Sequence, residues 1–263
     1  MDMREGFARS YSSAWGFVAA MPLLALVVVG VEGLQHVMEY AAGMYASRAG
    51  MAAEANDPGR MIAGSLKILW LLLLEFWVIR FTVGGSSAAA LARDPVALRK
   101  FIPVLMVSAV VSLFSIFLPT LLMLGSLGPP VTTIVSIIVV IATVFCGILL
   151  IPWAVSAALG DDRAGLGFSV HRARGSIIWA LVFGIVTPLP LIVVHYALGY
   201  GAVGKAPWLS ISLLSIDAIF TSLLAVVAAT SQVMIAERMA ERAKDRLLCG
   251  PFVSVDHAPA CFI

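Results

Sequence analysis

Charge is what this chain has least of: 12% of its 263 residues are Asp, Glu, Lys or Arg, while 61% are hydrophobic. An ordinary soluble domain carries about 25% charged residues, and a compact fold of this length needs a polar shell that such a composition does not supply. A wholly water-soluble protein is therefore excluded; part of the solvent must be lipid. The net charge of +2 is too small to mark a nucleic-acid partner, and none is predicted. Cysteine is scarce too. Cys146, Cys249 and Cys261 form neither a C-x-x-C pair nor a metal-ligand spacing. Cys146 reads as a small apolar side chain, the other two as free thiols on a reducing side. The H-E-x-x-H, G-x-S-x-G, P-loop and paired-aspartate headgroup-transfer signatures are all missing. That leaves no catalytic residue and no cofactor to predict, and the chain reads as a non-enzyme. The N-terminal stretch lacks an A-x-A-like cleavage site and its apolar run outlasts a signal-peptide core, so it reads as a retained first span.

What the chain does have is long apolar runs. Six of them, at 14–34, 64–83, 101–125, 131–158, 176–199 and 208–236, reach the roughly 20 residues needed to cross a bilayer. None shows the two-residue alternation of a barrel strand, so helices are expected. The predicted fold is all-α: one membrane domain over 1–263, a six-span bundle with kinked helices, short interfacial helices and a tail from 237. Twelve Lys and Arg residues fall on one side: Arg4, Arg9, Arg93, Arg99, Lys100, Arg163, Arg172, Arg174, Arg238, Arg242, Lys244 and Arg246. Only Arg48, Arg60 and Lys205 fall on the other. By the positive-inside rule both termini are cytoplasmic, in a multi-pass protein of a bacterial inner membrane.

Finer features follow. The basic lead-ins at 4–15, 94–103 and 167–179 predict interfacial helices, and SAAALARD (87–94) beside SAALGDD (156–162) hints at a threefold repeat. Helix one is expected to project beyond the membrane until the turn at Asn56-Asp57-Pro58-Gly59. Pro22, Pro103, Pro119, Pro152, Pro188 and Pro190 predict kinks, strongest in TPLPL (187–191).

The informative residues are the few ionisable ones in or near the spans. Glu32, His36 and Glu39 share one helical face, and with Lys67, His195 and Asp217 they belong to the outer half of the bundle. The first reading is mutual pairing near the outer interface. The second is the lining of an outward-opening aqueous cavity. The third is a divalent metal site of imidazole and carboxylate, considered without being predicted. Glu75 lies near the centre of span two and needs a partner on another helix, water or a proton. Arg80, close to the inner end, is expected to snorkel. Arg99, Lys100, Arg172 and Arg174 are expected to face anionic headgroups, or simply to set topology.

The stretch AVSAALGDDRAGLGFSVHRARGSIIWALVFGIV (154–186), with Ser169, Arg174, Gly175 and Trp179 in an S-x-x-x-x-R-G-x-x-x-W pattern, resembles a bacterial group of six-span integral membrane proteins. These are the glycerophosphoryl diester phosphodiesterase membrane-domain and YciC-like proteins. The resemblance implies a helical inner-membrane protein. It does not imply phosphodiesterase activity, which in that group resides in a separate catalytic domain not seen in this sequence. The expected function is a structural, interacting or lipid-associated membrane component, with membrane lipids, other membrane proteins or a second copy as partners. The alternative is a small transporter or permease subunit using Glu75 and the outer cluster.

Overall fold

The computed structural model describes residues 1–125 and 128–243, and among these it is entirely helical and loop. The chain forms α1 (Met3–Ala20), α2 (Pro22–Ala41), α3 (Arg48–Ala53), a 3-10 turn (Glu54–Asn56), α4 (Pro58–Gly84), α5 (Ser87–Leu91) and α6 (Pro95–Leu124). It continues with α7 (Pro129–Ala158), α8 (Leu166–Ala173), α9 (Ile177–Val186), α10 (Leu189–Ala202) and α11 (Pro207–Arg242). Helices α2, α4, α6, α7 and α11 are each long and apolar enough to cross a membrane, and α9 with α10, bent by 40°, make a sixth span if counted together. This is an all-α polytopic membrane bundle.

Long apolar runs bury their backbone polar groups within themselves, which is why they emerge as helices. Proline decides where they break. The first expected span, 14–34, is divided at Met21: Pro22 has no N–H to continue α1 and takes the first position of α2, where none is needed. Helix α1 then buries the stripe Gly6, Ser10, Ala14 and Phe17, with Ser10 against Thr230 of α11, Gly6 against Phe183 of α9 and Phe17 against Phe81 of α4. At the other end α2 stops at Ala41 instead of projecting towards Asn56. Gly43 adopts φ +83°, a left-handed turn that glycine takes without cost, and α3 is a separate short helix. The turn at Asn56-Asp57-Pro58 is present, with Asp57 capping α4 by accepting the Arg60 N–H at 2.9 Å. Of the interfacial lead-ins, 4–15 lies within α1, 95–103 is the first part of α6, and α8 alone is a separate short helix. The two similar stretches differ locally: SAAAL is α5, whereas Ser156–Ala158 closes α7.

The centre of the bundle is α11, which packs against α1, α2, α4, α7, α8, α9 and α10. Its buried face carries Ser210, Ala218, Thr221, Ser222, Ala229, Thr230, Ser231, Ala236 and Ala240, small residues that let neighbouring backbones approach closely in a membrane. Two of these hydroxyls bind neighbours directly: Ser222 donates to the Ala25 carbonyl at 2.9 Å and Thr230 to that of Ser10 at 3.0 Å. The helix also outruns its expected end at 236, continuing to Arg242; Arg9 of α1 pairs with Glu237 at 2.8 Å, so α1 begins on the face where α11 ends. Cys249, Cys261, Lys244 and Arg246 lie outside the described residues.

Two proline breaks are repaired by side chains from other helices. In α7, Pro152 is followed by an opened turn into which Ser169 of α8 inserts. Its Oγ accepts from the Trp153 N–H at 2.9 Å and donates to the Leu149 carbonyl at 2.6 Å, completing the i to i−4 pair that would otherwise join those two groups. At the α9–α10 break the Leu191 and Ile192 N–H groups both turn to the Pro188 carbonyl, and the Thr187 carbonyl accepts the Tyr11 hydroxyl at 3.0 Å. We expect Ser169→Ala to lower stability by about 1–2 kcal/mol, since it strands a buried donor and acceptor together. Chemical unfolding of the detergent-solubilised protein measures this; wild-type stability would show that α7 closes its own turn.

Candidate functional site

Two polar sites lie inside the bundle, at different depths. The first is at the end of the bundle away from the N-terminus, where α2, α4, α10 and α11 meet. At 100° per residue α2 turns Glu32, His36 and Glu39 to one face, and that face packs on α4 and α11, leaving the three 1%, 7% and 4% exposed. His36 is the hinge of the network. Its Nε2 lies 3.0 Å from Asp217 Oδ2 and 3.6 Å from Glu32 Oε1, and its Nδ1 lies 3.1 Å from Glu39 Oε2. The other oxygen of Asp217 meets His195 Nδ1 at 2.8 Å, the second oxygen of Glu32 meets Lys67 Nζ at 2.8 Å, and Glu39 Oε1 accepts from Gln35 at 2.8 Å and Arg60 at 3.0 Å. Tyr45 donates to Glu39 Oε2 at 2.7 Å; burial and that carboxylate hold its phenol above the ordinary range, so it stays a donor.

All six residues singled out from the sequence thus meet in one cluster. Gln35, Tyr45, Arg60 and Thr221 complete it without having been anticipated. Gln35 is uncharged, and Tyr45 reaches the site only because the chain turns back at Gly43. Asp217 is fully buried, and His195, with 27% of its side chain exposed, is the most accessible of the imidazole and carboxylate groups.

The second site surrounds Glu75. The kink at Thr187–Pro190 and the α6–α7 hairpin hold open a cleft of about 410 Å³, floored by α4 and α11 and lined by Glu75, Ser108, Ser112, Thr143, Ser231 and Gln232 among apolar side chains. Val144 and Ile185, also in its lining, are 42% and 49% exposed, so the cleft is open rather than enclosed. Glu75 has a polar neighbour on another helix: Gln232 of α11 lines the same cleft. A search for charged residues passes over Gln232, yet an amide within an apolar span was a readable signal. Asp217 and His195 do not line this cleft, so the two sites are separate.

At the opposite end of the bundle the basic residues are held by protein groups. Arg80 does not snorkel. It is 3% exposed, with its guanidinium 3.1 Å from the Ala92 carbonyl, 3.3 Å from that of Ala158 and 3.4 Å from Asp94. The helix ends around it draw it inward, because buried carbonyls need donors. Lys100 is turned onto the Gly160 carbonyl at 2.8 Å and onto Asp162, whose exposed carboxyl it holds below the usual range. Arg172 is buried, its guanidinium 4.7 Å from the centre of the Phe168 ring. Of the four residues expected at headgroups, Arg99 and Arg174 are exposed. The other positions of the S-x-x-x-x-R-G-x-x-x-W pattern have packing roles: Ser169 repairs α7, Gly175 turns at φ +80° and offers its carbonyl to Arg242 at 2.7 Å, and Trp179 stacks on Phe183.

Fold and sites together define a polytopic α-helical membrane protein with a largely buried ion cluster and a separate polar cleft. No family model, curated protein or solved structure matches the chain.

Proposed function

We propose that this is a lipid-associated protein of a bacterial inner membrane, with both termini cytoplasmic, which holds the polar end of a membrane amphiphile in the Glu75 cleft. The observation that carries the reading is that cleft. Its volume suits a small ligand, it sits at hydrocarbon depth, and six polar side chains are gathered in an apolar lining. An ionisable group at that depth is costly unless it faces water, a partner or a ligand. Among the described residues no Lys, Arg or His lines the cleft, so the amphiphile is one with hydrogen-bond donors and no negative charge; an anionic headgroup beside Glu75 would stay uncompensated. The orientation rests on the distribution of Lys and Arg, and the lipid-associated role agrees with the likeness of 154–186 to the membrane part of the phosphodiesterase-type proteins. A transporter would need one route joining Glu75 to the outer cluster, and the separation of the two sites favours the binding role. We assign the chain no catalytic step.

Gly147 provides the test. It lines the cleft and a Cβ there would meet nothing within 4 Å, so Gly147→Phe fills the space without disturbing the helix. A monoacylglycerol added to the detergent-solubilised protein is expected to raise the unfolding temperature of the wild type and leave Gly147→Phe unchanged, while phosphatidylglycerol acts on both alike. Equal shifts in wild type and Gly147→Phe with the monoacylglycerol would refute the cleft as its site.

A further inference from the structure

We propose that Glu32, His36 and Asp217 form a binding site for a divalent transition-metal ion, of the zinc class, which clamps α2 to α11 at the outer end of the bundle. This inference is independent of the cleft. His36 Nε2 has at most one hydrogen to offer, yet it faces carboxylate oxygens from two helices, Asp217 Oδ2 at 3.0 Å and Glu32 Oε1 at 3.6 Å. One N–H is a poor match for two buried anionic oxygens; a cation bound to all three atoms matches them. The three candidate ligand atoms lie within 4.8 Å of one another. Ligand bonds of roughly 2.0–2.2 Å in tetrahedral geometry place donor atoms about 3.3–3.5 Å apart. Two of the pairs therefore need only tenths of an ångström of movement.

The surroundings are those of a metal centre. In such sites the far atom of each ligand is held by a neighbouring group, typically a carboxylate behind the histidine. Here Glu39 stands behind His36 Nδ1 at 3.1 Å, itself held by Tyr45, Gln35 and Arg60. His195 stands behind Asp217 Oδ1 at 2.8 Å, and Lys67 behind the second oxygen of Glu32 at 2.8 Å. Each ligand thus has one atom directed at its fellow ligands and the other engaged elsewhere. One imidazole and two carboxylates, without thiolate, suit Zn²⁺, Co²⁺ or Mn²⁺ better than the all-oxygen preference of Ca²⁺ or Mg²⁺. With three ligands from the protein, water completes the coordination.

The experiment is titration of chelator-treated, detergent-purified protein with Co²⁺ and Zn²⁺ alone. One Co²⁺ per chain is expected, with visible ligand-field bands that Zn²⁺ abolishes. Glu32→Gln and His36→Gln are each expected to weaken uptake at least 100-fold, and His195→Gln, which only positions Asp217, by about 10-fold. Should the ligand variants not fold, X-ray absorption on the zinc-loaded wild type decides: one imidazole with oxygen neighbours supports the site, and a sulfur neighbour overturns it. Absence of stoichiometric uptake by the wild type, or uptake by folded His36→Gln equal to wild type, overturns it as well.

Discussion

Asp217→Ala is expected to lose about 3–5 kcal/mol of stability, the cost of breaking a buried ionic network by removing one partner. Among the described residues no other carboxylate is both fully buried and shared between two imidazoles: one oxygen serves His36 at 3.0 Å and the other His195 at 2.8 Å, from α2 and α10 respectively. Its removal takes from each ring its shortest carboxylate contact, leaving His36 Nε2 only Glu32 at 3.6 Å and His195 Nδ1 only the Thr221 hydroxyl at 3.1 Å, in surroundings that also contain Lys67 and Arg60. It also severs the polar link through which α11 holds α2 and α10 together. In thermal unfolding of the solubilised protein this loss corresponds to a fall on the order of 10 °C. Asp217→Asn keeps the shape and one acceptor and should fall less. His195→Ala should also fall less, because that ring is partly exposed and Asp217 retains His36. The double variant should lose less than the sum of the two single losses, as contacting residues do. Strict additivity would show that the His195–Asp217 contact contributes nothing.

The parts of this molecule that could be read in advance were those written in local periodicity. Length and apolarity of the runs gave the helices, and the i, i+4, i+7 spacing of Glu32, His36 and Glu39 put them on one face. Counting helix direction then placed Lys67, His195 and Asp217 at a similar depth, and all six meet. What could not be read was decided by tertiary contacts between distant segments. Nothing local to Arg80 says that the carbonyl of Ala158, 78 residues away, will need its guanidinium, so a basic residue near a span end reads as a snorkelling one. Ser169 is one serine among many until Pro152 opens a turn opposite it. Gly43 ends helix one where propensity alone would carry it further. The prolines of TPLPL did announce a kink, but only the neighbouring hairpin turns that kink into one wall of a cleft.

Arg80→Ala is expected to be the most damaging change on the opposite face of the membrane, again about 3–5 kcal/mol. The side chain closes three chain ends at once. Its Nη2 holds the Ala92 carbonyl, just after α5, and its Nη1 holds both Asp94, which caps α6 through the Ala97 N–H at 2.9 Å, and the Ala158 carbonyl at the end of α7. Its guanidinium also lies 5.2 Å from the centre of the Phe76 ring, a favourable cation–π placement. Arg80→Lys retains the charge, but a single ammonium cannot span acceptors on three segments with the fixed fork of a guanidinium; it should recover about half of the loss. Arg80→Met is the discriminating variant. It fills similar volume with no donors, so if volume is what matters its stability equals wild type, and if the three acceptors matter it falls with Arg80→Ala. Limited proteolysis of the solubilised protein gives the structural readout: in Arg80→Ala and Arg80→Met, cleavage should appear first between Gly85 and Asp94, the connection that the guanidinium ties down. Cleavage confined to other loops would show that the α5 region is held by its own packing, and that Arg80 serves only to fill space between α4 and α7.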